Sequence, residues 1–240
     1  MVKRIFDIWK LNLSELYATL LFIFGGWIFG LIIVAVVLAF DRTATSCAIM
    51  GTFIAVLAGA FMSIILRVMS FGYNFNTAVS MGGTRKEFLI ADGAAAYLNL
   101  AIEIAAILTL YSAEKALCKV LYAGKECEDL MRILGDYRIV IGIVLFVPAI
   151  SMFCGALILK FQKAAYWTLY AIWMTAFIGG GRFVDHINEN PGSLVAEICN
   201  GIWNFVTEMT GIVQITAILV ISCIFISGTV LLVRKQAVQV

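Results

Sequence analysis

Long apolar runs alternate with short polar breaks along the whole 240-residue chain. Six runs, over residues 18–40, 47–69, 88–111, 139–159, 166–180 and 211–233, approach or reach the ~20 residues that a helix needs to cross a bilayer; that over 166–180 is the shortest. Between them the pattern stays helical more often than it becomes a loop. Residues 1–17 put Val2, Ile5, Phe6, Trp9, Leu13, Leu16 and Tyr17 on one helical face, with Lys3, Arg4, Asp7, Lys10 and Asn12 opposite, which predicts an amphipathic helix lying in the interface. Residues 182–210 form an outer segment. In it Ser193 caps a helix whose polar face (Glu197, Asn200, Asn204, Thr207, Glu208) opposes an apolar one (Val195, Ile198, Ile202, Phe205, Met209), and this predicts a re-entrant helix. The expected fold is therefore an all-α integral membrane protein forming a single transmembrane domain over 1–240.

The longest polar interruption in the first half of the chain is the loop 71–87, in the stretch FGYNFNTAVSMGGTRKEF. A short helix over Asn74–Met81 is expected to lie across the end of the bundle. It would stop at Gly82-Gly83, where glycine tolerates the left-handed conformation that closes a helix. A second helix then starts at Thr84, because Thr84 and Glu87 have the spacing of a capping box. Arg85 and Lys86 make that corner basic.

Within the spans, Gly26 and Gly30, and Gly51, Ala55 and Gly59, form ladders of small residues that let helices approach closely, within one chain or between two copies. Asp92, Asn99 and Glu103 share one face of the third span, since i, i+7 and i+11 nearly superpose at 100° per residue. Glu103 lies about 22 Å along the helix from Phe88, well inside a ~30 Å core, so it needs protein or water around it. Arg67 is placed to pair with Asp92, and Arg138 with Glu103. These residues either fix helix packing or line a polar path. Pro148 predicts a kink in the fourth span, and Lys160 and Lys163 mark a tight turn after it. Tyr166, Tyr170, Trp173 and Phe177 form an aromatic stripe on the fifth span, a packing or lipid face or the wall of a cavity.

Composition agrees with the pattern. The chain is 62% hydrophobic and only 13% charged, with a mean hydropathy of +1.00. A net charge of +2 carries no information, but its distribution does. Lysines and arginines gather on the side of the termini, which the positive-inside rule makes cytoplasmic. Of the six cysteines, Cys118 and Cys127 share the outer segment 112–137 and are candidates for a disulfide. The chain has no P-loop, no metal-ligand spacing and no catalytic pair, and its lone histidine, His186, sits in a polar stretch expected to be a solvated turn. No catalytic residue, metal site or cofactor is therefore assigned, and nothing points to nucleic acid.

The preface helix, six spans, the FNTAVSMGGTRKEF loop and the helical outer segment together resemble the short exporter permeases of the ABC transporters. The resemblance implies that Asn74–Met81 is similar to the coupling helix that docks in a groove of a separate ATPase. Asn74, Phe75, Asn76, Val79, Met81, Thr84, Arg85, Lys86 and Glu87 would then serve ATPase coupling. It further implies two permease copies with two ATPase subunits, ATP and Mg bound by those subunits, and a bacterial plasma-membrane location with both termini cytoplasmic. An amphipathic or antimicrobial peptide or a hydrophobic drug would be the substrate, passing along Asp92, Asn99, Glu103, Tyr166, Tyr170, Trp173 and Phe177. The alternative is an ion-coupled secondary transporter or channel using Asp92 and Glu103.

Overall fold

The computed structural model describes residues 2–40, 46–121, 126–128, 136–190, 192–208, 210–234 and 236. Helices α1 (Val2–Leu11) and α2 (Leu13–Phe40) lead to strand β1 (Ser46–Ala48), then α3 (Met50–Ser80) and α4 (Arg85–Leu121). Strand β2 (Glu126–Glu128) precedes α5 (Tyr137–Glu189), α6 (Leu194–Glu208) and α7 (Gly211–Arg234). Five helical stretches, those of α2, α3, α4, α5 and α7, are long and apolar enough to cross a membrane. In hydrocarbon every backbone N–H and C=O needs an internal partner, and helices satisfy all of them within one segment. The protein is thus an essentially all-α multi-pass membrane protein. Its strands form one short parallel pair, with Ser46 opposite Glu126, Cys47 opposite Cys127 and Ala48 opposite Glu128.

The glycine ladders pack inside the chain. A β-carbon on Gly30 would lie 2.5 Å from the α-carbon of Gly51, and one on Gly59 would lie 2.8 Å from Ile23. Gly30 meets Gly51 at one end while Glu15 meets Arg67 at the other, so α2 and α3 form an antiparallel hairpin. On α4, Glu114 lies beside Gly51 and Asp92 beside Arg67, which makes α4 antiparallel to α3 as well. The first arm of α5 runs beside α7 in the same direction: Gly142 lies against Ile218, Phe153 against Gly228, and the carbonyl of Leu159 accepts from Gln236. At the end of the bundle where α3 turns into α4, Phe71, Phe75 and Phe88 are wholly buried with Met152, Ala156 and Val233. Phe88 meets Phe71 and Phe75 edge-on at 5.3 and 5.4 Å, the arrangement that aromatic quadrupoles favour. Gly155 leaves the room that Phe71 fills, since its β-carbon would come within 2.6 Å of that side chain.

Several boundaries differ from the sequence reading. The expected loop 71–87 is mostly helix: α3 continues unbroken to Ser80, and the segment predicted to lie across the bundle is its last two turns. Polar side chains that read as a loop are instead hydrogen-bonded between helices. The fourth and fifth spans belong to one helical stretch, α5, whose sole non-helical residue is Gln162 (φ 49°, ψ −126°). The break therefore falls in the expected turn between Lys160 and Lys163. The outer segment 112–137 begins as ten further residues of α4. His186 lies in the last turns of α5 and not in a turn. Ser193 does cap α6, its hydroxyl accepting from the Ala196 N–H at 3.2 Å.

The glycine geometry gives a paired prediction. Gly30→Ala forces backbone apart and should destabilise the protein by roughly 1–3 kcal/mol, whereas Gly25→Ala, with open space around it, should stay within about 0.5 kcal/mol of wild type. Thermal unfolding in detergent micelles measures both; equal losses would mean that the α2–α3 contact is not tight.

Candidate functional site

The polar centre starts at Asn12, the residue between α1 and α2. Its carbonyl accepts from the Leu16 N–H at 3.2 Å, as expected at a helix start. Its side chain, which periodicity placed on the outward polar face, is wholly buried. There Asn12 Nδ2 donates to Asp92 Oδ1 at 3.3 Å and Asn12 Oδ1 accepts from Asn74 Nδ2 at 2.9 Å. Asn74 also donates to Glu15 Oε1 at 2.8 Å, and the Ser70 hydroxyl donates to the same oxygen. Arg67 binds both acids. Its Nη2 lies 3.2 Å from Asp92 Oδ1 and donates to the Asp92 carbonyl at 2.6 Å, while Nη1 lies 3.6 Å from Glu15 Oε2. Asn99 joins through Nδ2, which donates to the Asn12 carbonyl at 3.4 Å. One cation thus serves two carboxylates inside the protein, and Arg67 Nε, Asp92 Oδ2 and Asn99 Oδ1 lack hydrogen-bond partners among the described residues.

This network ends against the turn between α3 and α4. Gly82 has φ +82°. The Gly83 N–H donates to Ala78 O at 2.9 Å and the Gly82 N–H to Val79 O at 3.0 Å, the paired bonds of a Schellman closure. The capping box forms as expected: the Thr84 N–H donates to Glu87 Oε2 at 2.9 Å and the Glu87 N–H to Thr84 Oγ1 at 3.2 Å. Arg85 Nη1 donates to the Arg234 carbonyl at 2.7 Å, joining the turn to the end of α7. The residues expected to dock a partner divide into two sets. Asn74 and Phe75 are interior, at 2% and 0% exposure, and hold the turn in place. Tyr73, Met81, Thr84, Arg85 and Lys86 are exposed, Asn76, Val79 and Glu87 partly so.

Glu103 leaves the stripe. It is buried at 5% exposure and lines a cavity of about 90 Å³ between α3, α4 and the first arm of α5. Ser63 lines the same cavity. The expected partner Arg138 is engaged elsewhere, with Nη2 2.9 Å from Asp136 Oδ2. That guanidinium hydrogen-bonds Asp136 and holds its carboxyl below the usual range.

Comparison with family models, curated proteins and solved structures gives no match. Function must be argued from the geometry.

Sequence-predicted residues are thus brought together only in part. Asp92 and Asn99 join the Arg67 network and Glu103 lies in its own cavity. Tyr166, Tyr170 and Trp173 are exposed on the second arm of α5, where Trp173 meets Phe61 of α3 at 5.3 Å. The side chain of Phe177 lies outside the described residues. Cys118 is buried on α4, and the side chain of Cys127 lies outside the described residues, as therefore does their pairing; in the backbone register Cys127 is opposite Cys47.

Glu114 was not singled out by sequence reasoning, because the hydropathy boundary put it in a loop. It is 1% exposed and accepts from the Gly51 N–H at 2.8 Å, the Thr52 N–H at 2.6 Å and the Thr52 hydroxyl at 2.6 Å. A carboxylate from α4 thus satisfies the orphan donors at the start of α3, where the helix dipole favours negative charge. Its place eleven residues beyond Glu103, on the face that carries Asp92 and Asn99, is the signal that could have found it.

Arg67 makes the sharpest prediction here. Arg67→Met strands two buried carboxylates and should cost about 3–5 kcal/mol, and adding Asp92→Asn should return a substantial part of that loss. A double-mutant cycle on thermal stability in detergent measures the coupling; simple additivity would contradict the charge-pairing account.

Proposed function

We propose that the chain is the membrane-spanning permease subunit of an ATP-driven ABC exporter, with six crossings once α5 is counted as two arms. Two permease copies would work with two separate ATPase subunits that bind ATP and Mg. The observation that carries this reading is the α3–α4 turn. It is closed by its own caps, presents Tyr73 (71% exposed), Met81 (57%), Arg85 and Lys86 outward, and is anchored from behind by Phe75 and Asn74. Such a turn is suited to being gripped by a partner protein and to passing that displacement into two spans at once. An amphipathic or antimicrobial peptide or hydrophobic drug is the substrate class of this reading, and the basic surroundings of the turn make its side cytoplasmic. An ion-coupled secondary transporter or channel would use Asp92 and Glu103, of which Asp92 is bonded to Arg67 and Asn12.

The test is co-purification of the tagged chain with an ABC ATPase subunit from its own cells, followed by ATP hydrolysis in lipid with and without the permease. Tyr73→Glu, Met81→Asp and Lys86→Glu should each reduce the permease-dependent change in hydrolysis by about fivefold or more with melting temperature unchanged. Phe75→Asp should instead lose the folded protein, because it buries a charge in an aromatic core. If the surface variants leave hydrolysis unaltered, the turn is not the coupling element.

A further inference from the structure

The carboxyl of Glu103 has no cationic partner of its own. Among the described residues no lysine or arginine lines its cavity, and Ser63 is the one other polar residue there. The Arg67 guanidinium is held by Glu15 and Asp92. Three carboxyls, those of Glu15, Asp92 and Glu103, therefore share a single arginine within the membrane-buried part of the protein. A buried carboxylate in an otherwise apolar setting is unfavourable unless a positive charge joins it.

The space beside it is shaped to admit one. Gly59 and Ile107 wall the cavity on one side and Val140 and Val147 on the other. On the scale where about 150 Å³ admits the six carbons of benzene, a cavity of ≈ 90 Å³ takes roughly three or four heavy atoms, the nitrogen included. Leu108, 45% exposed, also lines it, so the opening gives onto the lipid-facing surface. One carboxyl among otherwise apolar walls, with the exposed Leu108 among the lining residues, matches an ammonium head on a short alkyl chain, with the remainder of a larger molecule passing out beside Leu108.

We propose that the Glu103 cavity is a binding site for the ammonium group of a cationic amphiphile, Glu103 supplying the counter-charge and Ser63 a second polar group on the cavity wall. Calling that amphiphile a substrate rests on the exporter reading; the binding does not. The site is built from α3, α4 and α5 of one chain, so it requires neither a second copy nor an ATPase.

The experiment uses the purified full-length chain alone, and its outcome is independent of whether an ATPase complex forms. A membrane-partitioning carbodiimide labels carboxyls buried in apolar surroundings, and mass spectrometry of the digested protein reports modification of Glu103. With n-butylammonium at about ten times its Kd, total modification of Glu103, with the N-acylurea and the n-butylamide formed when the amine traps the activated carboxyl counted together, should slow about tenfold by mass action, while the neutral isostere n-butanol at the same concentration should leave the rate within about twofold. Ser63→Ala should weaken the protection, and Glu103→Gln should remove the labelled peptide without lowering the melting temperature of the protein. Equal protection by the alcohol would show a merely apolar cavity and overturn the proposal. So would labelling that n-butylammonium does not slow, or failure of Glu103 to be labelled at all.

Discussion

The fold depends on how one guanidinium is shared. Arg67 lies inside the bundle with Glu15 of α2 and Asp92 of α4 on either side of it, so three spans meet at a single charge. In a hydrocarbon environment apolar faces do not drive helices together as they do in water, because lipid tails are as apolar as leucine. Orientation must then come from close backbone approach and from polar groups that have nowhere else to go. The glycine contacts between α2 and α3 supply the first, and the Arg67 network supplies the second. The network also fixes where the amphipathic α1 stops, because the buried Asn12 side chain bonds to both α3 and α4.

The same polar groups explain why the α3–α4 turn is rigid. Asn74 is bonded to Asn12 and Glu15, Phe75 is enclosed by aromatic contacts, and Arg85 holds the end of α7. What faces outward is a small surface of Tyr73, Met81, Arg85 and Lys86 on an immobile support. A partner that binds there meets a preorganised shape and spends little of its binding energy on ordering it.

The sequence makes the helices legible because their apolar runs are long, and it makes the turn legible because Gly82-Gly83 and Thr84–Glu87 are local signals whose partners lie within a few residues. The Arg67–Asp92 pair also follows from depth along neighbouring spans. What it conceals is the use of polar residues in the interior. Asn12 and Asn74 read as surface or loop because a polar side chain gives no hint of partners 62 to 80 residues away, and this is why α3 seems to end before Ser80. The partner of Arg138 was missed for the opposite reason: Asp136 is only two positions away, and depth arguments look past so close a neighbour. Phe75 shows a further limit, since an aromatic residue near a turn reads equally well as an anchor for a partner or for the core.

The unbroken course of α3 has a mechanical consequence. At 1.5 Å per residue its 31 residues make a rod of about 46 Å, clamped near its middle by Asp92 through Arg67 and at its first turn by Glu114, both from α4. A hinge between the turn and the membrane would absorb a push as local bending. Without one, α3 and α4 behave as a beam pinned at two points, and force applied at the turn emerges at the opposite face of the membrane as a tilt of the pair.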